Sequence, residues 1–183
     1  SAEDLVALDK LDQAISLDRE RRTVTVSAGV TYGRLCPQLD EAGFALHNLA
    51  SLPHISVAGA IATATHGSGD ANGNLSTAVS GLEIVTADGE LISLSREKDG
   101  AQFDGAVVNL GALGVVTRVT LDVVPAFTVQ QEVFESLPIA DMHDHFDEIA
   151  TGAYSVSLFH NWQGDTVSEV WLKRHLGTSA AVS

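Results

Sequence analysis

The chain has 183 residues, ten Lys and Arg against twenty-four Asp and Glu, and a formal net charge of -14. With 45 % hydrophobic and 19 % charged residues it has the composition of a folded globular protein rather than a disordered tail. The acidic balance argues against nucleic acid and anionic membrane surfaces as partners, and the single cysteine, Cys36, excludes an internal disulfide. No apolar run reaches the length of a membrane span, and a cytoplasmic location is the expectation.

In chain order, Leu11–Leu17 and Thr23–Ala28 alternate apolar and polar residues around the polar turn Asp18–Arg22, which predicts a β-hairpin. Tyr32, Leu35, Cys36 and Leu39 are spaced for one helix face between Thr31 and Ala42, with Gly43 as a stop. Pro37 inside that stretch predicts a kink or a later start. From Gly43 to Gly69 there is no Asp, Glu, Lys or Arg. Within it, Ser56 suits an N-cap for a short helix to about Ala64, built of small and medium residues around Gly59. Such a helix start is expected to offer unpaired N–H groups to an anion, and Thr65–Gly69 to add further ones. A tightly packed helix beside an ordinary glycine-rich loop accounts for the same residues.

Strands at Leu82–Thr86 and Leu91–Ser95 flank an Asp88-Gly89 hairpin signal. Asp99–Asp104 reads as a charged turn. A long strand over Val115–Val124 ends at Pro125, the candidate domain boundary. Beyond it come a strand at Phe127–Phe134, a helix over Ile139–Ala150, and strands at Tyr154–Phe159 and Val167–Lys173. His143 and His145 stand two residues apart and so point to different faces of that helix, which reads as solvated rather than metal-binding. His47 and His54 flank Ser51 as possible pocket residues, or as packing histidines. No nucleophile triad and no metal site is expected.

The run Ser-Val-Ala-Gly-Ala-Ile-Ala-Thr-Ala-Thr-His-Gly-Ser-Gly at positions 56–69 resembles the flavin-contacting segment of the vanillyl-alcohol-oxidase-type (PCMH-type) FAD-binding family. Gly111-Ala112-Leu113-Gly114-Val115-Val116-Thr117 resembles that family's second signature. Residues 48–56, 153–159 and 170–174 are similar to those of the alditol (xylitol, sorbitol) oxidases within it.

The resemblance implies an α+β fold, the second half of an FAD-binding domain with a mixed or antiparallel sheet and flanking helices over residues 1–125. The beginning of a substrate (cap) domain would occupy 126–183. It implies FAD as cofactor, contacted by Ser51, Ser56, Gly59, Thr63, Ala64, Thr65, His66 and Val115, with Ser51 also touching substrate. The implied reaction oxidises a polyol to an aldose and reduces O2 to H2O2. The family's covalent-linkage loop and polyol-activating groups have no counterpart here. The expectation is therefore an internal fragment with no catalytic residue of its own, lacking turnover alone and lacking the parent's N- and C-terminal parts. A sugar-1,4-lactone oxidase of the same fold, and a non-catalytic module that kept the fold, are the alternatives.

Overall fold

A computed structural model describes residues 7–8 and 10–176. The chain divides into two compact units, one comprising residues up to His66 together with Asn74–Ala126, the other Gly67–Gly73 together with the residues from Phe127 onward.

The first unit holds a five-stranded sheet. Its strands are β1 (Ile15–Asp18), β2 (Thr23–Ser27), β4 (Val79–Val85), β5 (Leu91–Ser95) and β6 (Val115–Asp122), in the order β1-β2-β6-β4-β5 with every neighbouring pair antiparallel. Period-two alternation sets the faces. Val24, Val26, Val119 and Leu121 point into the core, while Thr25 and Thr120, paired in register, join their hydroxyls at 2.9 Å on the open face. Arg118 bridges Asp12 at 3.2 Å and Glu83 at 3.8 Å, an exposed arrangement that adds little stability.

Three helices contribute most to the covering of the sheet's apolar face. Helix α1 (Tyr32–Glu41) buries Tyr32, Leu35 and Leu39, α2 (Val57–Ala62) buries Val57, Ala58, Ala60 and Ile61, and α4 (Ala101–Val107) buries Phe103, Ala106 and Val107. Each large side chain among them contributes roughly 1.5–3 kcal/mol on burial. Helix α1 starts ahead of Pro37 and continues past it, so the later start is not what is found. The carbonyl that Pro37 deprives of a donor belongs to Gly33, and both residues are exposed, so water can take the vacated position. Burial of the Tyr32 phenol raises its pKa, helped by the neighbouring Cys36, whose own thiol is pushed up by burial.

The charged stretch at 96–104 is helical rather than a turn. Ser95 Oγ accepts from the Lys98 N–H and Asp99 accepts from the Ser95 N–H at 2.7 Å, starting α3 (Arg96–Asp99), and α4 follows after Gly100. Two further elements carried no clear signal. These are a 3-10 turn at Leu75–Ala78 and the two-residue pair β3 (Phe44–Ala45) with β7 (Val124–Pro125).

The second unit is a three-stranded antiparallel sheet, β8 (Val129–Pro138), β10 (Thr166–His175) and β9 (Ser155–Phe159) in that order. The single helix expected over 139–150 is instead two, α5 (Ile139–Asp144) and α6 (Phe146–Thr151), parted at His145 where φ is -120°. Phe127, Tyr154 and His175 stack together, with ring centroids 4.2–5.8 Å apart.

Candidate functional site

The segment Pro53–Val57 lies antiparallel to Val30–Gly33. Gly33 N–H donates to Pro53 O at 2.7 Å, Tyr32 N–H to Ile55 O at 3.2 Å and Val57 N–H to Val30 O at 2.8 Å. This pairing aims the chain into α2. Ser56 then caps the helix, its Oγ accepting from the Gly59 N–H at 3.3 Å, and the Ala60 N–H donates to Ser56 O at 3.1 Å. The helix start was expected to present open N–H groups to an anion. Instead, its own cap and the Val30 carbonyl consume those at Val57, Gly59 and Ala60, and six residues make too short a helix for an effective dipole site.

The other end of α2 is a complete Schellman closure. Ala64 N–H donates to Ile61 O at 3.1 Å and Thr65 N–H to Ala60 O at 2.9 Å, with Ala64 in the left-handed region at φ +52°. An L-residue there costs about 1–2 kcal/mol, which a glycine would avoid. Thr63 Oγ1 donates back to Gly59 O at 3.1 Å and lies 3.1 Å from Thr65 Oγ1. Hydrogen bonds thus knit Ser56, Gly59, Thr63, Ala64 and Thr65 into one rigid turn. Gly59 and Thr63 are exposed on its outside, and a methyl added to Gly59 would meet only Ser56 Oγ of its own turn.

The residue just before the second signature is tied to this turn, Leu110 N–H donating to Ala62 O at 3.1 Å. Asn109, which the sequence reading passed over, organises the approach. It is buried, its amide donates to Ala106 O at 3.1 Å, and its Oδ1 accepts from the Gly111 N–H at 2.8 Å. An Asn directly after an apolar helix stripe and two residues before Gly is the turn signal that could have revealed it. Gly114 then has φ +129°, and a methyl on it would overlap the Val85 carbonyl oxygen and stand 3.0 Å from Thr86 Cα. That close approach delivers Val115 to the start of β6, paired with Val85 and half-buried.

Ser51 and Val115 are not part of the hydrogen-bonded turn among the described residues. Ser51 is exposed, two residues before the Pro53–Val57 pairing; Val115 sits at a strand end; and His66, also exposed, closes the run as the last residue of the first unit's opening stretch. Exposed apolar side chains flank both segments, Leu52 at 52 %, Leu110 at 74 % and Leu113 at 45 %. A bare main-chain edge at Gly59, neutral hydroxyls, flanking leucines and the lack of carboxylates from Gly43 to Gly69 suit a flat apolar ring with polar edges. The residues therefore fit the ring portion of a flavin. They do not supply a phosphate cradle at the start of α2.

A family model described as the FAD binding domain matches residues 3–95. The chain belongs to this family. It is 48 % identical over 170 residues to an alditol oxidase of Streptomyces sp., an alignment covering 93 % of this chain and 40 % of that protein. It is 36 % identical over 143 residues to the L-gulonolactone oxidase of Bos taurus, covering 78 % of this chain and 32 % of that one. Among solved structures, a cholesterol oxidase variant from Brevibacterium sterolicum shares the fold, with a TM-score of 0.78 at 18 % identity over 92 % of this chain and 35 % of that one. The α+β fold of PCMH-type FAD-binding oxidases implied by the two signatures is the fold observed. The chain spans less than half the length of each of these relatives.

Proposed function

We propose that this chain forms one wall of the flavin site of an FAD-dependent alditol oxidase. The observation that carries the reading is the 48 % identity to an alditol oxidase across nearly the whole chain, which includes the rigid Ser56–Thr65 turn with its bare outer edge. FAD, when bound, supplies the two-electron acceptor for a hydride leaving the polyol carbon, and the protein supplies position and surroundings.

In this reading Ser56, Gly59, Thr63, Ala64, Thr65, His66 and Val115 contact the cofactor. The small residues of α2 let its main chain come close, and the Schellman closure keeps Ala64 and Thr65 from adapting. Thr63 and Thr65 offer hydroxyls at the polar rim, while Leu110 and Leu113 exclude water beside the ring. Ser51, the exposed hydroxyl two residues before the paired segment, touches the cofactor too and orients a polyol hydroxyl. Residues from Phe127 onward open the substrate domain. O2 is the second substrate, H2O2 the second product, and the lone half-buried thiol of Cys36 accords with a cytoplasmic location.

The test is oxygen uptake and peroxide release on xylitol and sorbitol by the FAD-loaded full-length enzyme that carries these residues, since this stretch alone is expected to lack turnover, with Ser51→Ala expected to lower kcat/KM for both by about 10-fold or more. A protein that takes up no flavin, or in which Ser51→Ala changes nothing, overturns this reading. A lactone oxidase is the second reading, favoured by the 36 % identity to an L-gulonolactone oxidase, and turnover of L-gulono-1,4-lactone in preference to polyols would establish it.

A further inference from the structure

The chain leaves the first unit at His66–Gly67, returns at Gly73–Asn74, and between these points forms a loop that belongs to the second unit. The neck of the loop is closed inside the first unit, where Leu75 N–H donates to Thr65 O at 2.8 Å. Thr65 is the same residue whose N–H closes α2. The tip is held inside the second unit by side-chain hydrogen bonds. Asn72 donates through Nδ2 to Ser68 O at 3.0 Å and to Tyr154 O at 2.9 Å, and its N–H donates to Gly69 O at 3.2 Å. Ser68 Oγ is bonded to Ser155 Oγ, and Gly69 lies so close that a methyl on it would overlap both the Asn72 amide and the Tyr154 carbonyl.

Three of the seven loop residues are glycines, Gly67, Gly69 and Gly73, so the loop has little stiffness of its own. Asn72, bound to main chain on both sides of the tip, helps to fix it alongside the Ser68–Ser155 hydroxyl pair. The chain between Asn72 and the neck is short on either side, and the neck holds Thr65 and His66.

We propose that Asn72 is a positioning residue for the flavin site: by tying the loop tip to the main chain at Ser68 and Tyr154, it sets the main chain of Thr65 and His66 that the cofactor meets. This rests on the FAD reading above. It assigns to a residue outside the cofactor-contacting run the task of holding that run in register.

The isosteric change Asn72→Asp tests it, because it replaces two donated hydrogen bonds with a carboxylate facing two carbonyl oxygens. Hydrogen exchange in the cofactor-free chain is the first readout. The Leu75 and Thr65 amides are expected to exchange about 10-fold faster or more, with the amides of β2 and β6 unchanged as a control for folding. Asn72→Ser, which keeps one donor, should fall between wild type and Asn72→Asp, and it serves if the carboxylate variant fails to fold. Lowering the pH through the introduced carboxyl's titration restores a donor and should bring the exchange of both amides back toward that of wild type at the same pH, a reversal that simple loss of packing would not show.

In the FAD-loaded full-length enzyme that carries these residues, the visible flavin band should shift, and kcat should fall about 10-fold while KM for the polyol changes less than about twofold. Exchange at Leu75 and Thr65 that matches wild type overturns the proposal and leaves the FAD reading standing. A wild-type protein that takes up no flavin overturns the FAD reading instead, and with it the assignment of Asn72 to that site.

Discussion

Gly114→Ala isolates the contribution of the second signature. Gly114 has φ +129°, a region that costs an L-residue about 1–3 kcal/mol. The added methyl would also press on the Val85 carbonyl and stand 3.0 Å from Thr86 Cα, both main-chain groups at the end of β4. Overpacking of this kind adds roughly 1–3 kcal/mol, and the alternative is to open the Val85–Val115 pair that begins the β4–β6 ladder. A total near 3–4 kcal/mol lowers the Tm of a chain this size by roughly 6–15 °C. Gly111→Ala is the control. Gly111 is also at positive φ, +78°, but a methyl there meets nothing within 4 Å, so only the conformational cost of about 1 kcal/mol remains. Thermal unfolding followed by circular dichroism measures both variants. If Gly114→Ala loses no more than Gly111→Ala, the close approach of Gly114 to β4 does not exist and the placement of Val115 falls with it.

Ala64→Gly relieves the left-handed strain at the end of α2 and, after the entropic cost of glycine, should raise Tm by about 1–3 °C, whereas Ala64→Val should lower it; equal effects would show that the Schellman closure is not formed. Ser56→Ala removes the cap on the Gly59 N–H and should cost about 1 kcal/mol in urea unfolding, with an unchanged midpoint refuting the cap. Tyr32 has its pKa raised by burial above the ordinary value of 10.0, so the folded state holds its phenol proton more tightly than the unfolded state does. The stability linked to it is fully present below pH 10 and is lost as pH rises beyond that, since the unfolded chain ionises first. Urea midpoints at pH 8, 10 and 11 should fall steeply for wild type and less for Tyr32→Phe. Parallel curves for the two would show that the phenol is not buried.

Where side-chain periodicity decided an element, it could be read in advance. Val24 and Val26, and Val119 and Leu121, alternate as strands must, and Tyr32, Leu35 and Leu39 repeat as a helix face must. What escaped was decided by local hydrogen bonds or by distant partners. Ser95 and Asp99 cap a helix whose charged start looks like a turn, and only the spacing of Phe103, Ala106 and Val107 betrays its continuation. Phe44–Ala45 becomes a strand because Val124–Pro125 lies beside it, which no local pattern records. In the site, the residues of the Ser56–His66 run could be singled out for their small size and for their likeness to a flavin-contacting segment. The direction of their N–H groups could not, because the Val30 carbonyl that takes one of them lies 27 residues away. Asn72 was missed for a related reason, since one carbonyl it holds belongs to Tyr154, 82 residues on; Asn109 bonds locally to Ala106 and Gly111, and its turn signal was in plain view.

Because the backbone passes between the two units at three places, neither can be cut out as a single continuous stretch. A piece ending at Ala126 would still carry Gly67–Gly73 but not Tyr154 and Ser155, the residues that grip them. During synthesis the same arithmetic imposes an order of events. The loop emerges from the ribosome more than eighty residues ahead of its bed, so the tip at Ser68–Asn72 lacks its ties to Tyr154 and Ser155 until β9 has been made. A truncation library should accordingly show protease resistance around Asp70 rising in products that extend past Ser155.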